Sequence, residues 1–109
     1  MQAQEFPEAP SDLPHLVGAD LFIDLAQYVD KQVVITDAEV YGAGNHGALL
    51  DAGRVTFKIT TEGIDRETFR YFLKNCDGTG EKCKVRLLVT PTGKVTMHWP
   101  ELVGVKIVK

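Results

Sequence analysis

Residues 54–60 read Arg-Val-Thr-Phe-Lys-Ile-Thr, residues 64–76 read Ile-Asp-Arg-Glu-Thr-Phe-Arg-Tyr-Phe-Leu-Lys-Asn-Cys, and residues 84–90 read Lys-Val-Arg-Leu-Leu-Val-Thr. In the first, Val55, Phe57 and Ile59 alternate with Arg54, Thr56, Lys58 and Thr60, the signature of a strand with one buried and one wet face. The period then changes to that of a helix. Asp65 is placed to cap it, Ile64 to staple onto Phe69, and Phe69, Phe72, Leu73 and Cys76 fall on one side, opposite Arg66, Arg70 and Lys74. The strand period returns with Val85, Leu87 and Val89 inward. A strand, a connecting helix and a further strand therefore form the centre of the domain.

Working outward, Pro91-Thr92-Gly93 reads as a turn, and residues 101–109 as a last strand with Val103, Val105 and Ile107 on one face. Upstream, residues 48–51 make a short strand before Ala52-Gly53. Residues 32–41 are rich in β-branched side chains, but Val33 and Ile35 share one parity while Ala38 and Val40 share the other. A β-bulge near Thr36-Asp37 produces such a switch. Residues 42–47, Gly-Ala-Gly-Asn-His-Gly, read as a flexible turn. Leu21, Leu25, Tyr28 and Val29 form the stripe of a short amphipathic helix with Asp20 as cap. Before it, Pro7, Pro10 and Pro14 among acidic residues predict an extended arm over residues 1–18, leaving 19–109 as one domain.

Three strands, a helix and two strands reproduce the OB-fold order, a mainly β, five-stranded Greek-key barrel, here with an N-terminal helix and a helix between the third and fourth strands. More narrowly, Tyr28-Val29-Asp30-Lys31-Gln32-Val33, Phe69-Arg70-Tyr71-Phe72-Leu73-Lys74-Asn75-Cys76 and the restart at Cys83-Lys84-Val85 resemble small bacterial OB-fold proteins of the tRNA-anticodon-binding-like type. Many of these are exported and functionally uncharacterised, so the resemblance bears on fold more than on activity. Where such proteins often carry V-x-G, this sequence has Val89-Thr90-Pro91, and no anticodon-reading or synthetase motif is present.

Composition excludes little else. The 109 residues are 44% apolar and 25% charged, with a formal net charge of −3, so no global field favours phosphate backbones or anionic lipid. No apolar run reaches the roughly 18 residues of a membrane span. Cys76 and Cys83, joined by a flexible connector, read as a disulfide, with two reduced thiols as the alternative. Oxidation would place the chain in the periplasm or outside the cell, and a cytoplasmic location goes with reduced thiols. Residues 1–6 read like the polar start of a mature secreted protein, although such beginnings also occur in cytosolic ones.

Nothing in the sequence assembles a catalytic set. His15, His46 and His98 have no ligand spacing, the glycine-rich turn lacks the lysine and hydroxyl of a phosphate loop, and no cofactor or metal motif is found. The expectation is a non-enzymatic binding module for a protein, glycan or small ligand, with single-stranded nucleic acid as the alternative. Its candidate contacts are Tyr41, Asn45 and His46 at the first hairpin, Arg54 and Lys58 on the wet face of the third strand, Arg86 on the fourth, and Trp99 before the last. Lys84 extends a possible basic stripe, whereas single-strand binding also needs aromatic platforms. Trp99 is either an exposed anchor or packed on the barrel end.

Overall fold

The computed structural model describes residues 6–78 and 80–109. The polar start read at residues 1–6 therefore lies outside the described residues apart from Phe6. Among the described residues six strands run His15–Leu16 (β1), Val33–Gly44 (β2), Gly47–Ala52 (β3), Val55–Thr60 (β4), Lys84–Thr96 (β5) and Trp99–Val108 (β6). Their order is β1-β2-β3-β4-β6-β5, and β2 also pairs with β5, so β2 to β6 close into a five-stranded barrel with β1 added at the edge of β2. With β4 and β6 parallel and the other barrel pairs antiparallel, this is the OB-fold arrangement.

Closure depends on β2 serving two neighbours. Val33, Val34 and Ile35 pair with β5, and Glu39, Val40 and Tyr41 with β3. The bulge expected from the parity switch lies between: Thr36 and Asp37 together oppose Arg86, bending the strand around the corner. The connection read as a six-residue flexible turn is shorter than that. β2 continues through Gly44, Gly44 pairs with Gly47, and only Asn45-His46 joins the strands.

Helices close the two ends. The expected N-terminal helix is two short pieces, Gly18–Ile23 (α1) and Leu25–Tyr28 (α2), broken at Asp24. Asp20 does not cap it: Val17 is the capping residue, Asp20 sits in the first turn, and the Gly18 N–H donates instead to the Asp37 carboxylate at 2.8 Å. The cap thus comes from the bulge of β2, which local sequence cannot reveal. Leu21 enters the core with no exposed surface.

At the other end stands Arg66–Asn75 (α3), capped as expected by Asp65, which accepts from the Thr68 N–H at 3.0 Å. Its buried face differs from the apolar stripe. Leu73 is 43% exposed and Phe69 half-buried, whereas Thr68 and Phe72 are buried on the helix and Cys76 at its cap. Thr68 displaces Leu73 from the core side because its hydroxyl has partners there: Oγ1 accepts from the Ile107 N–H at 2.9 Å and donates to Asp65 Oδ2 at 3.1 Å. Cys76 and Cys83 form the disulfide, with Cα atoms 5.5 Å apart, which pins the end of α3 to the start of β5.

The turn expected at Pro91-Thr92-Gly93 is also corrected. β5 continues to Thr96, with Pro91 still paired to Leu102, and residues 92–94 bulge out opposite Glu101. A bulge is where a sheet tolerates proline. The reversal occurs at Met97-His98, with φ of 53° and 75°, a geometry of primed hairpin turns that sequence reading expects of Asn-Gly rather than Met-His. In β6 a second bulge at Val105 shifts parity, so Leu102 and Ile107 are buried while Val103 and Val105 are only half-buried.

Residues 6–10 run without regular structure, but the arm expected to be extended throughout is broken by a turn at Ser11-Asp12, where the Leu13 N–H donates to the Pro10 carbonyl at 3.3 Å, and it lies against the barrel. Ala9 and Leu13 cover Val34, Leu88 and Val108 on its outer surface, and Phe6 meets Tyr71 edge-on at 5.3 Å.

Candidate functional site

Barrel register decides which side chains share the outer surface. Tyr41 pairs with Leu49, Leu49 with Lys58, and Lys58 with Glu101, a continuous row over β2, β3, β4 and β6. A second row joins Lys84, Glu39, Asp51 and Thr56 over β5, β2, β3 and β4. Asp51 ties the rows together by accepting from the Tyr41 hydroxyl at 3.2 Å and from the Thr56 hydroxyl at 2.7 Å. Partial burial pushes the Tyr41 phenol above its ordinary range, and the Asp51 charge adds to the effect. At neutral pH Tyr41 is a neutral donor locked onto a carboxylate.

Where the second row meets the β2 bulge, a groove of about 440 Å³ opens, its floor at Ala38 and Val85 and its polar rim at Thr36, Asp37, Glu39, Asp51, Lys84 and Arg86. Several rim groups are already engaged. Thr36 Oγ1 donates to the Leu16 carbonyl at 3.3 Å, and Asp37 accepts from Gly18. Arg86 donates to the main-chain oxygen of Lys109 at 2.8 Å and lies 2.7 Å from His15 Nδ1. Lys84 donates to Glu81 at 2.9 Å, and that hydrogen bond, followed by the attraction of the same carboxylate, raises its pKa.

The sequence-predicted contacts are therefore only partly brought together. Tyr41 and Lys58 share a row, and Arg86 borders the groove. Asn45 and His46 stand exposed at the β2–β3 tip, and Arg54 is exposed in the β3–β4 turn. Trp99 is half-buried at the start of β6, opposite Thr96. The basic stripe does not form as one surface: Arg54 and Lys58 belong to β4 and its turn, Lys84 and Arg86 to β5, and β6 separates the two strands on one side of the barrel.

Glu39, Leu49, Asp51 and Glu101 were invisible as site residues, since a lone acid or leucine on a strand carries no local signal and only pairing joins them. They change the character of the surface, setting carboxylates among the bases. Among the described residues no group of three or more His, Cys, Asp or Glu side chains is placed to hold a metal ion. The chain matches no protein-family model, no curated protein and no solved structure.

Proposed function

We propose that the chain is a non-catalytic OB-fold binding module that takes a polar ligand, presented by a protein, a glycan or a small molecule, across the outer face of β2, β3, β4 and β6 and into the groove at the β2 bulge. The supporting observation is the register itself. It sets an aromatic, an aliphatic, a cationic and an anionic side chain in one row beside a groove of small-ligand size. Mixed donors and acceptors of both signs suit hydroxyl, amide or dipolar ligands better than a polyanion.

Single-stranded nucleic acid is the second reading, favoured by Tyr41 standing in one row with Lys58. Glu39, Asp51 and Glu101 on the same face weigh against it, because each opposes phosphate. As part of the same proposal, the disulfide points to an oxidising compartment, the periplasm or the cell exterior. Kinship to the tRNA-anticodon-binding-like OB-fold proteins stays a proposal carried by residues 28–33, 69–76 and 83–85.

The test is amide-shift mapping during titration with oligosaccharides, peptides and a single-stranded oligonucleotide, the last at low and physiological salt. The proposal expects perturbation of Leu49, Asp51 and Lys58, abolished by Lys58→Glu or Tyr41→Ala in a folded protein. A ligand whose shifts map elsewhere, or whose affinity ignores both variants, removes this face from the account.

A further inference from the structure

Barrel closure accounts for the inner faces of β2, β5 and β6, and by alternation it leaves Val34, Leu88 and Val108 on the outside. These three are nevertheless 0%, 2% and 3% exposed, in a cluster separate from the barrel core. Their cover is the chain's own arm, through Ala9 and Leu13, with Val105 beside it.

The arm is seated the way a peptide is bound. The Pro14 carbonyl accepts from the Val34 N–H at 2.9 Å, the Pro7 carbonyl accepts from the Lys109 N–H at 2.9 Å, and β1 adds a parallel two-residue strand to the edge of β2 that β3 does not reach. Main-chain pairing along a sheet edge, with side chains in apolar contacts, is the strand-addition mode of peptide recognition. Prolines at 7, 10 and 14 restrict the segment, which turns between Pro10 and Leu13, and reduce the entropy lost on docking. The ion pair between Glu8 and Lys109, at 3.8 Å with side chains 81% and 57% exposed, adds little. Phe6 on Tyr71 and the β1 pairing add further contacts, none of which belongs to barrel closure, so the arm opens as a unit separate from the barrel.

We infer that this strip is a peptide-docking site, filled in cis by the arm, which accepts in trans a partner segment of the same chemistry and the same turn between its second and third prolines. That segment carries a small and a branched apolar side chain four residues apart, bracketed by prolines, and extends the edge of β2 in parallel. The occupant is defined by the one already seated. The inference is independent of the ligand face proposed above, although arm exchange would also release Arg86 and Thr36, which His15 and Leu16 hold at the groove.

A tethered arm competes at an effective concentration of about a millimolar, so a free peptide is best measured against a chain whose own arm is weakened. The experiment uses the full chain carrying Ala9→Asp and Leu13→Asp, titrated with a synthetic peptide of unaltered residues 6–16 and followed by calorimetry and amide exchange. Expected are saturable binding at least about tenfold tighter than to the unsubstituted chain, renewed protection of the Val34 amide, and no binding of a peptide bearing Leu13→Asp. Absence of saturable binding up to about 1 mM overturns the inference. So does unfolding of the barrel in the substituted chain, which would make the arm an integral part of the fold. In the unsubstituted chain, exchange of the Val34 amide only at the rate of the slowest barrel amides also overturns it, since the arm would then leave only on global unfolding.

Discussion

Replacing Thr68 by valine tests the joint between α3 and β6. The substitution conserves shape and β-branching, so cavity and helix-propensity effects are small. What it removes is an oxygen that accepts from the Ile107 N–H at 2.9 Å and donates to Asp65 at 3.1 Å, at a residue with no exposed surface. A buried N–H left without an acceptor costs about 1–3 kcal/mol, and losing the hydroxyl's bond to the capping carboxylate adds about 1 kcal/mol, partly offset by the extra methyl. The net expectation is a loss of about 2 kcal/mol, or roughly 10 °C in Tm for a domain of this size. Thr68→Ser keeps both bonds and loses one methyl, at about 1 kcal/mol. Urea unfolding should therefore rank the proteins wild type, then serine, then valine, and Asp65→Ala should couple with Thr68→Val by more than about 0.5 kcal/mol. A valine variant as stable as the serine one would refute the claim that the hydroxyl, rather than the volume, turns Thr68 inward.

Reducing the Cys76–Cys83 bond, or changing both residues to serine, should cost about 2.5 kcal/mol from the loop entropy of a bridge spanning seven positions, read as a lower denaturation midpoint; an unchanged midpoint would deny the bridge a stabilising role. Because the Tyr41 pKa is raised in the folded state above 10.0, the native form holds its proton where the unfolded form has lost it. That contribution to stability is whole below pH 10.0 and is lost as pH rises through the folded pKa, so Tyr41→Phe should flatten the alkaline decline. Ultraviolet titration should likewise show a late-ionising step in the wild type that Tyr41→Phe removes, and a titration curve whose late part survives that substitution would contradict the Asp51 contact. A Cβ placed on Gly18 would collide with the Ala52 side chain, so Gly18→Ala should destabilise by about 1–3 kcal/mol and Ala52→Gly should recover part of the loss in the double variant; no recovery would locate the strain elsewhere.

Features written in short windows were legible in the sequence. Val55, Phe57 and Ile59 alternate because a half-buried strand has period two, Asp65 precedes its helix because the cap bond spans three residues, and the parity switch at Thr36-Asp37 records a bulge within one strand. From these pieces the barrel order followed, and so did the proximity of Cys76 to Cys83. Other features needed a partner distant in the chain. Thr68 looks solvent-facing until β6 offers it an N–H, and Asp37 looks like a bulge residue until α1 starts beneath it. Met97 and His98 adopt positive φ because two long strands must meet there. The adjacent pairs Val33-Val34, Leu87-Leu88 and Ile107-Val108 break alternation because one side faces the core and the other the arm. The candidate site is the extreme case: Tyr41, Leu49, Lys58 and Glu101 become neighbours only through register, which closure of the whole sheet sets and no single segment contains.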